Sequence, residues 1–199
     1  MNAPGIRRYQ VGFLMLEVLV ALFILLIGLV GLAGLQARSQ QAENESYQRV
    51  QALMLIRDIA DRMNANRANA ASYVTTTVSA TPLGFGNSLT IDCTATTSAA
   101  QTDLCQWNSE LIGAAETSGG TCDTSSGANC VGAMIRARGC ITNIGAGAPA
   151  TGPYLVQVVW QGLVPTAAPP ASVTCGSGSY GDDTLRRAVT TVVQIANLS

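Results

Sequence analysis

The 199-residue sequence contains no histidine, and all eleven of its cationic side chains are arginines, so lysine is absent as well. These absences exclude imidazole acid–base chemistry, Ser-His-Asp and Cys-His nucleophiles, histidine metal sites, Schiff-base chemistry and the phosphate-binding lysine of a P-loop. Charged residues make up only 12% of the chain, and the net charge is −1. We therefore expect no enzyme, no cofactor and no nucleic-acid partner, since nucleic-acid binding needs a basic face.

One long apolar run stands near the N-terminus. It covers residues 13–35 (FLMLEVLVALFILLIGLVGLAGL) and carries a single charge, Glu17. A helix of this length spans about 35 Å, which is enough to cross a hydrocarbon core of about 30 Å. Arg7 and Arg8 precede the run, and the positive-inside rule places them in the cytoplasm. The sequence therefore predicts a transmembrane helix with the rest of the chain on the exported side.

The six cysteines all lie beyond residue 67, on the side predicted to be exported. They are Cys93, Cys105, Cys122, Cys130, Cys140 and Cys175. An even number of cysteines in an oxidising compartment predicts a disulfide framework. Irregular gaps, without histidine or a Cys-x-x-Cys pair, argue against a zinc site, so we expect no metal. Six cysteines allow 15 pairings, and we favour pairing between sequence neighbours: 93 with 105, 122 with 130, and 140 with 175.

The start of the apolar run has an unusual order of residues. Gly12 is followed by Phe13, three further apolar residues and Glu17, and only eleven residues precede the glycine. This segment resembles the prepilin signal of type IV pilins and type II secretion pseudopilins. The resemblance implies that a prepilin peptidase cuts after Gly12 on the cytoplasmic face and N-methylates Phe13.

Glu17 is an acidic side chain in an apolar segment, where an unpaired carboxylate costs several kcal/mol. Cleavage after Gly12 would create a cationic amine on Phe13, one helical turn away, and methylation keeps that charge. If helices stack with an axial stagger, Glu17 of one subunit can face the Phe13 amine of the next. We therefore expect Glu17 to set the register of assembly. The alternative is a plain signal anchor with a glutamate near the lipid interface.

The helix is predicted to continue beyond the apolar run. Residues 36–66 contain neither Gly nor Pro, and apolar side chains recur at steps of three and four. Gln40–Gln48 is predicted to be an exposed neck. The residues predicted to face a head domain are Leu53, Ile56, Ala60 and Met63. The predicted organisation is a cleaved leader (1–12), a membrane or fibre-core helix (13–35), its amphipathic continuation (36–67) and a head (68–199).

The head is predicted to be a small α+β domain. Thr102 is expected to cap a short helix that buries Leu104, Trp107 and Leu111 and ends at Gly113. Predicted strands cover Val131–Ile141, with Arg136 and Arg138 on one side, then Pro153–Gln161 and Arg187–Ile195; Cys175 fixes the loop Pro165–Asp183. The predicted fold class is α+β: a long N-terminal helix, apolar in its first half, packed on an antiparallel sheet of about four strands.

Charged and aromatic pairs in the head have two interpretations each. Asp182-Asp183 fits a cation site or, as we favour, a solvated turn. Arg186-Arg187 fits a partner surface or, as we favour, a local exposed salt bridge. Trp107 and Trp160 fit recognition aromatics or, as we favour, the core.

Scattered head motifs narrow the resemblance. Residues 154–162 (YLVQVVWQG), Cys175, Leu185-Arg186-Arg187, Asp103-Leu104 and Trp107 are similar to those of PilV-like minor pilins, the type IV pilus modification proteins. The resemblance implies the pilin fold and a structural subunit that helps to initiate the pilus and form its tip complex, supporting twitching motility and adhesion. Its implied partners are other minor pilins, the major pilin, the prepilin peptidase, the assembly platform and a tip adhesin. The implied location is the inner membrane before assembly and the fibre at the cell surface afterwards.

Two other functions fit the same sequence. A type II secretion pseudopilin shares the leader and the helix but belongs to a short periplasmic pseudopilus. An uncleaved, membrane-anchored periplasmic binding or sensor protein would keep the leader intact.

Overall fold

The computed structural model describes residues 15–75, 82–86, 93–115, 117–123, 129–145 and 152–195. The chain divides into two units, residues 1–43 and 44–199. Helix α1 (Met15–Ala65) begins in the first unit and ends in the second. The prediction that one helix continues from the apolar run to about Asn66 is confirmed.

The second unit is an α+β head. After α1 come a 3₁₀-helix (Arg67–Tyr73), β1 (Leu83–Gly84), α2 (Ala99–Ile112), β2 (Arg138–Asn143), β3 (Pro153–Gln161), a 3₁₀-helix (Asp183–Leu185) and β4 (Arg186–Gln194). The strands form one sheet in the order β1-β2-β3-β4, and every neighbouring pair is antiparallel. The head thus has the predicted class, a long N-terminal helix packed on a small antiparallel sheet.

The main core lies between the C-terminal part of α1, helix α2 and one face of the sheet. From α1 it takes residues spaced by four, three and four positions: Ala52, Ile56, Ile59 and Met63. The predicted face was correct for Ile56 and Met63 but wrong for Leu53, which is 37% exposed, while Ala60 packs only at the edge. Residues 52–56 (ALMLI) are all apolar, so their pattern does not distinguish the buried face from its neighbours.

Part of the predicted neck belongs to the head. Gln48 is 6% exposed, and Glu45 is half-buried. Both residues belong to the second unit, whereas residues 40–44 are exposed. The neck prediction was therefore wrong at these two positions. The head supplies hydrogen-bond donors for the Glu45 carboxylate, whereas it covers Gln48 without giving its Oε1 a partner among the described residues.

Helix α2 begins earlier than predicted. Its N-cap is Ser98, whose side chain accepts a hydrogen bond from the backbone N–H of Gln101 at 3.3 Å. Thr102 lies inside the helix, so its predicted capping role was wrong. Gly113 ends the helix with φ at 70°, as predicted, and an added Cβ there would collide with Gly132.

Strand β2 is shorter than predicted. It begins at Arg138, because Arg136 adopts a left-handed conformation with φ at 52° in the preceding turn. The Tyr180 hydroxyl donates to the Arg136 carbonyl at 3.1 Å, which helps to hold this turn. Arg136 and Arg138 therefore do not lie on one strand. The Arg136 guanidinium covers the ring of Phe85, and that of Arg138 covers Tyr180.

The two long strands agree with the sequence pattern. β3 has the predicted bounds, and β4 begins and ends one residue before its prediction. Even-numbered residues of β3 face the main core: Tyr154, Val156, Val158 and Trp160. On the opposite face, Val159 joins Cys140, Val173, Cys175 and Tyr180 in a second, smaller cluster. β3 is therefore buried on both faces.

Candidate assembly helix and head anchors

The first part of helix α1 is exposed along its whole described length. Every residue from Met15 to Asn44 is exposed, including the aliphatic residues of the apolar run. Within the described residues, α1 has a segment that is long and apolar enough to cross a membrane. An apolar surface of this size in water is unfavourable, so it needs lipid or protein around it. This part of the chain is therefore a candidate membrane and assembly segment.

Glu17 lies in the first turn of α1 and is exposed. It is the single charged residue between Met15 and Leu35. The predicted cleavage residues Gly12 and Phe13 lie outside the described residues. Cleavage, N-methylation and the pairing of Glu17 with a neighbouring amine thus stay predictions.

The start of α1 within the head is held by Glu45. Its carboxylate accepts hydrogen bonds from the Arg187 guanidinium at 3.0 Å and from the backbone N–H of Leu163 at 3.2 Å. Arg187 also donates to the carbonyls of Val164 and Thr184. The prediction that Arg187 joins a local salt bridge was wrong, because its acidic partner lies 142 positions earlier in the chain.

The end of α1 is held by Arg62. Its guanidinium contacts the carboxylates of Asp58 at 2.7 Å, Glu110 at 3.0 Å and Asp103 at 3.5 Å. Asp58 lies on α1 itself, whereas Asp103 and Glu110 lie on α2, so the cluster joins the two helices. Burial and the neighbouring Asp58 raise the pKa of Glu110 above its usual value, although Arg62 opposes the shift.

Two buried aromatic residues complete the contact between the helices. Trp107 is fully buried, and its indole N–H donates to the Leu55 carbonyl at 3.1 Å. Tyr73 is fully buried as well, and its hydroxyl donates to Asp103. Burial and this hydrogen bond raise the pKa of Tyr73 to about 12. Trp107 and Trp160, which is 3% exposed, are core residues as predicted.

Arg186, the first residue of β4, is buried beneath the loop that joins β3 to β4. Its side chain is 2% exposed and forms two bonds with the Asp183 carboxylate, at 3.1 and 2.7 Å. It also donates to the carbonyls of Val173 at 2.7 Å and Cys175 at 3.1 Å. The local salt bridge was predicted, but its predicted exposure was wrong, because the loop folds over the guanidinium.

The adjacent acids also have protein partners. Asp182 accepts from the backbone N–H of Thr184 at 2.9 Å and caps the 3₁₀-helix, while Asp183 binds Arg186. The hydrogen bonds from Arg186 and from the Gly178 N–H hold the pKa of Asp183 below its usual value. The turn is solvated as predicted, since Asp182 is exposed and Asp183 is only partly buried, but both carboxylates also have partners within the head. No cluster of metal-ligating side chains occurs among the residues described.

The six cysteines form three disulfides. The pairs are Cys93–Cys105, Cys122–Cys130 and Cys140–Cys175, the sequence neighbours that we favoured. The third bond ties the long loop before β4 to strand β2, across a sequence separation of 35 residues. Cys140 and Cys175 are each 1% exposed, so this bond lies inside the second cluster.

Comparison with known proteins gives one family. A family model described as Tt1218-like, type IV pilin Tt1218, matches residues 34–109, which cover most of α1 beyond the apolar run and most of α2. No curated protein and no solved structure matches the chain. The family is structural rather than catalytic, which agrees with the expectation that the chain is not an enzyme. Its pilins associate in a pilus, and the exposed apolar helix is consistent with membrane anchoring. The match supports a type IV pilin subunit.

Proposed function

We propose that this protein is a minor pilin of a type IV pilus, of the PilV-like kind. The observation that carries the proposal is the combination of a match to a type IV pilin family with an exposed apolar helix that contains one acid, Glu17. The function is structural: the subunit co-assembles with other minor pilins and the major pilin, helps to initiate the fibre and contributes to its tip complex. Twitching motility and adhesion then depend on it indirectly.

Maturation begins in the inner membrane. The prepilin peptidase removes residues 1–12 and methylates Phe13, so that the mature chain starts with a charged amine. Glu17 of one subunit pairs with this amine on the next subunit, and both charges are neutralised in an apolar surrounding. Mispaired registers leave a carboxylate and an ammonium unpaired, which makes them unfavourable. The assembly platform then moves the subunit from lipid into the fibre.

The head selects the neighbours. Its rigid framework consists of three disulfides, the Glu45–Arg187 contact and the Arg62 cluster. A rigid head keeps its surface loops in one arrangement, so that it can discriminate between adjacent minor pilins and a tip adhesin. The helix supplies the assembly energy, and the head supplies the choice of partner.

Replacement of Glu17 by alanine tests the mechanism. We expect Glu17→Ala to be processed normally but to enter sheared fibres at least about tenfold less than wild type, because breaking a buried ion pair costs roughly 3–5 kcal/mol. Glu43→Ala is the matched control: Glu43 is an exposed acid of the same helix, outside the apolar run. It should assemble like wild type. The measurement is the ratio of fibre-bound to membrane-bound protein.

Three outcomes would contradict the proposal. Incorporation of the Glu17→Ala variant into fibres at the wild-type level would show that the charge pair is not needed for assembly. Co-purification with a secretion platform instead of surface fibres would identify a type II secretion pseudopilin. Retention of the leader would identify a membrane-anchored periplasmic protein.

A further inference from the structure

Strand β4 lies at one side of the sheet and pairs with β3 along its whole length. In an antiparallel pair, successive residues direct their backbone N–H and C=O groups alternately toward the partner strand and away from it. The residues of β4 that point away from β3 therefore form an edge. The hydrogen bonds around β3 show which residues these are.

One hydrogen bond that fixes this pattern lies just beyond the end of β3. The N–H of Gly162 donates to the Leu185 carbonyl at 2.7 Å, and this pair continues the register in which Gln161 lies opposite Arg186. The N–H of Gln161 instead donates to Ile135, on the other side of β3. Even-numbered residues of β3 thus bond to β4, and their partners are the odd-numbered residues of β4. The outward groups belong to Arg186, Ala188, Thr190, Val192 and Gln194.

Among the residues that the structure describes, Arg186 is the only one of these five whose outward N–H has a hydrogen-bond acceptor. Arg186 donates its backbone N–H to the Asp183 carbonyl. Within the described part of the chain, the outward groups of Ala188, Thr190, Val192 and Gln194 have no hydrogen bond. Thr190, Val192 and Gln194 are exposed, and Val192 is 55% exposed. Their spacing of two residues matches the repeat of an extended chain.

This edge lacks the features that usually protect one. Natural edge strands carry lysine, proline, bulges or inward charges that discourage pairing. Residues 188–194 (AVTTVVQ) contain none of these residue types and include five β-branched side chains. Such a strand has a high tendency to pair with another extended chain.

A groove runs beside the first half of the edge. It has a volume of about 390 Å³ and lies between residues 167–170 (AAPP) and the β4 residues Arg186–Thr190. Both arginines at this end are already engaged, Arg186 with Asp183 and Arg187 with Glu45. The groove therefore offers an apolar wall beside free backbone groups, and the guanidinium charges at its end are already paired with carboxylates.

We propose that β4 accepts an extended, uncharged segment of another polypeptide as a fifth strand of the sheet. Main-chain groups of the segment bond to Ala188, Thr190, Val192 and Gln194, and small or apolar side chains lie against the wall at residues 167–170. An edge and a groove of this kind are the two elements of strand-addition binding. The neutral composition on both sides favours a neutral partner over an acidic or basic one. The proposal does not depend on cleavage of the leader or on Glu17.

Photocrosslinking in the cells that naturally produce the protein tests this proposal. p-Benzoylphenylalanine is placed at Thr190 or at Val192 of the full chain, and the crosslinked peptides are sequenced by mass spectrometry. Ile144 is the matched control, because it is an aliphatic residue of similar exposure, 49%, just beyond β2. We expect Thr190 and Val192 to crosslink to sites two residues apart on one uncharged segment, and Ile144 to give no such pair.

The remaining outcomes overturn the proposal. Crosslinks to β4 of a second copy would show self-pairing of the edge. Crosslinks to a charged or helical segment, scattered crosslinks, or none would show that no strand is added there. The assay reads neither the N-terminus nor fibre incorporation. Strand addition can therefore be disproved while the minor-pilin proposal holds, and the minor-pilin proposal can be disproved while strand addition holds.

A pair of proline variants separates strand addition from mere proximity. Thr190→Pro removes an outward N–H and leaves the β3–β4 ladder intact, so we expect about fivefold less crosslink from Val192, the value of one hydrogen bond, with little change in stability. Thr191→Pro removes an N–H that faces β3 and should destabilise the head itself. An unchanged crosslink yield in Thr190→Pro would contradict main-chain pairing.

Discussion

Helix α1 consists of two parts that have the same secondary structure and opposite surroundings. From Met15 to Asn44 every side chain is exposed, whereas from Ala52 to Met63 one face is buried in the core of the head. The second part has its apolar partners within the same chain. The first part is more apolar and its side chains are all exposed, so it needs lipid or protein around it.

This difference predicts two separate classes of variants. Changes in the head act on folding, because the head stabilises itself by core packing, disulfides and buried ion pairs. Changes before residue 44 act on membrane anchoring and assembly and leave the head folded. Glu17→Ala, described above, is a variant of the exposed first part of the helix. The following predictions concern variants of the head and the point at which the two parts of the helix meet.

Trp107→Ala should have the largest effect on the head. Trp107 is fully buried between α2, α1 and the sheet, and it donates to the Leu55 carbonyl. We expect the free energy of unfolding to fall by roughly 3–5 kcal/mol, measured by chemical denaturation of the full chain in detergent. Met54→Ala, at a side chain that is 55% exposed, is the control and should change it by less than about 0.5 kcal/mol. Equal effects would contradict the assigned core.

Loss of the Cys140–Cys175 bond should come next. Replacing both cysteines by serine should lower the free energy of unfolding by roughly 3–4 kcal/mol, because the bond closes a separation of 35 residues. The same change at Cys122 and Cys130, which are separated by 8 residues, should cost roughly 2–3 kcal/mol. Denaturation midpoints under non-reducing conditions give the comparison, and a larger loss at the shorter loop would contradict it.

Asp183→Asn should have a smaller effect that depends on pH. Near neutral pH we expect a loss of roughly 1–3 kcal/mol, because the buried Arg186 loses a charged acceptor. In the wild type the pKa of Asp183 is lowered by Arg186, so its contribution is complete above the ordinary value of 3.8 and is lost as the pH falls below it. Thermal unfolding from pH 6 to pH 2 should therefore show the two proteins converging. A constant difference across that range would exclude the charge as the cause.

Removal of residues 1–35 should have the smallest effect. The fragment retains Glu45 and the buried face of α1, so we expect its thermal midpoint to lie within about 2 °C of that of the full chain. A fragment that begins at Gln51 lacks the Glu45–Arg187 contact and should unfold at a lower temperature. Failure of the longer fragment to fold under oxidising conditions would contradict the division of the helix into two parts.

Local patterns in the sequence predicted much of this fold. The alternation in residues 153–161 predicted β3, the spacing of Leu104, Trp107 and Leu111 predicted the buried face of α2, and the uninterrupted segment 36–66 predicted the length of α1. Each of these features depends on residues that are close in the chain. The disulfides followed the same rule, since each joins neighbouring cysteines.

The features that the sequence did not reveal depend on contacts between distant residues. Glu45 and Arg187 are 142 positions apart, so only the folded head brings them together. Arg186 was expected to be exposed, because nothing near it indicates that the loop from Val173 to Cys175 will cover it. The open edge of β4 likewise depends on the order of strands in the sheet, which short-range periodicity does not determine.

The N-terminal mass of the protein isolated from membranes tests the central claim most directly. The account predicts a chain that begins with N-methylated Phe13, because the exposed apolar helix requires a free amine near Glu17 to assemble. A chain that still begins with Met1 would contradict it and would identify an anchored periplasmic protein.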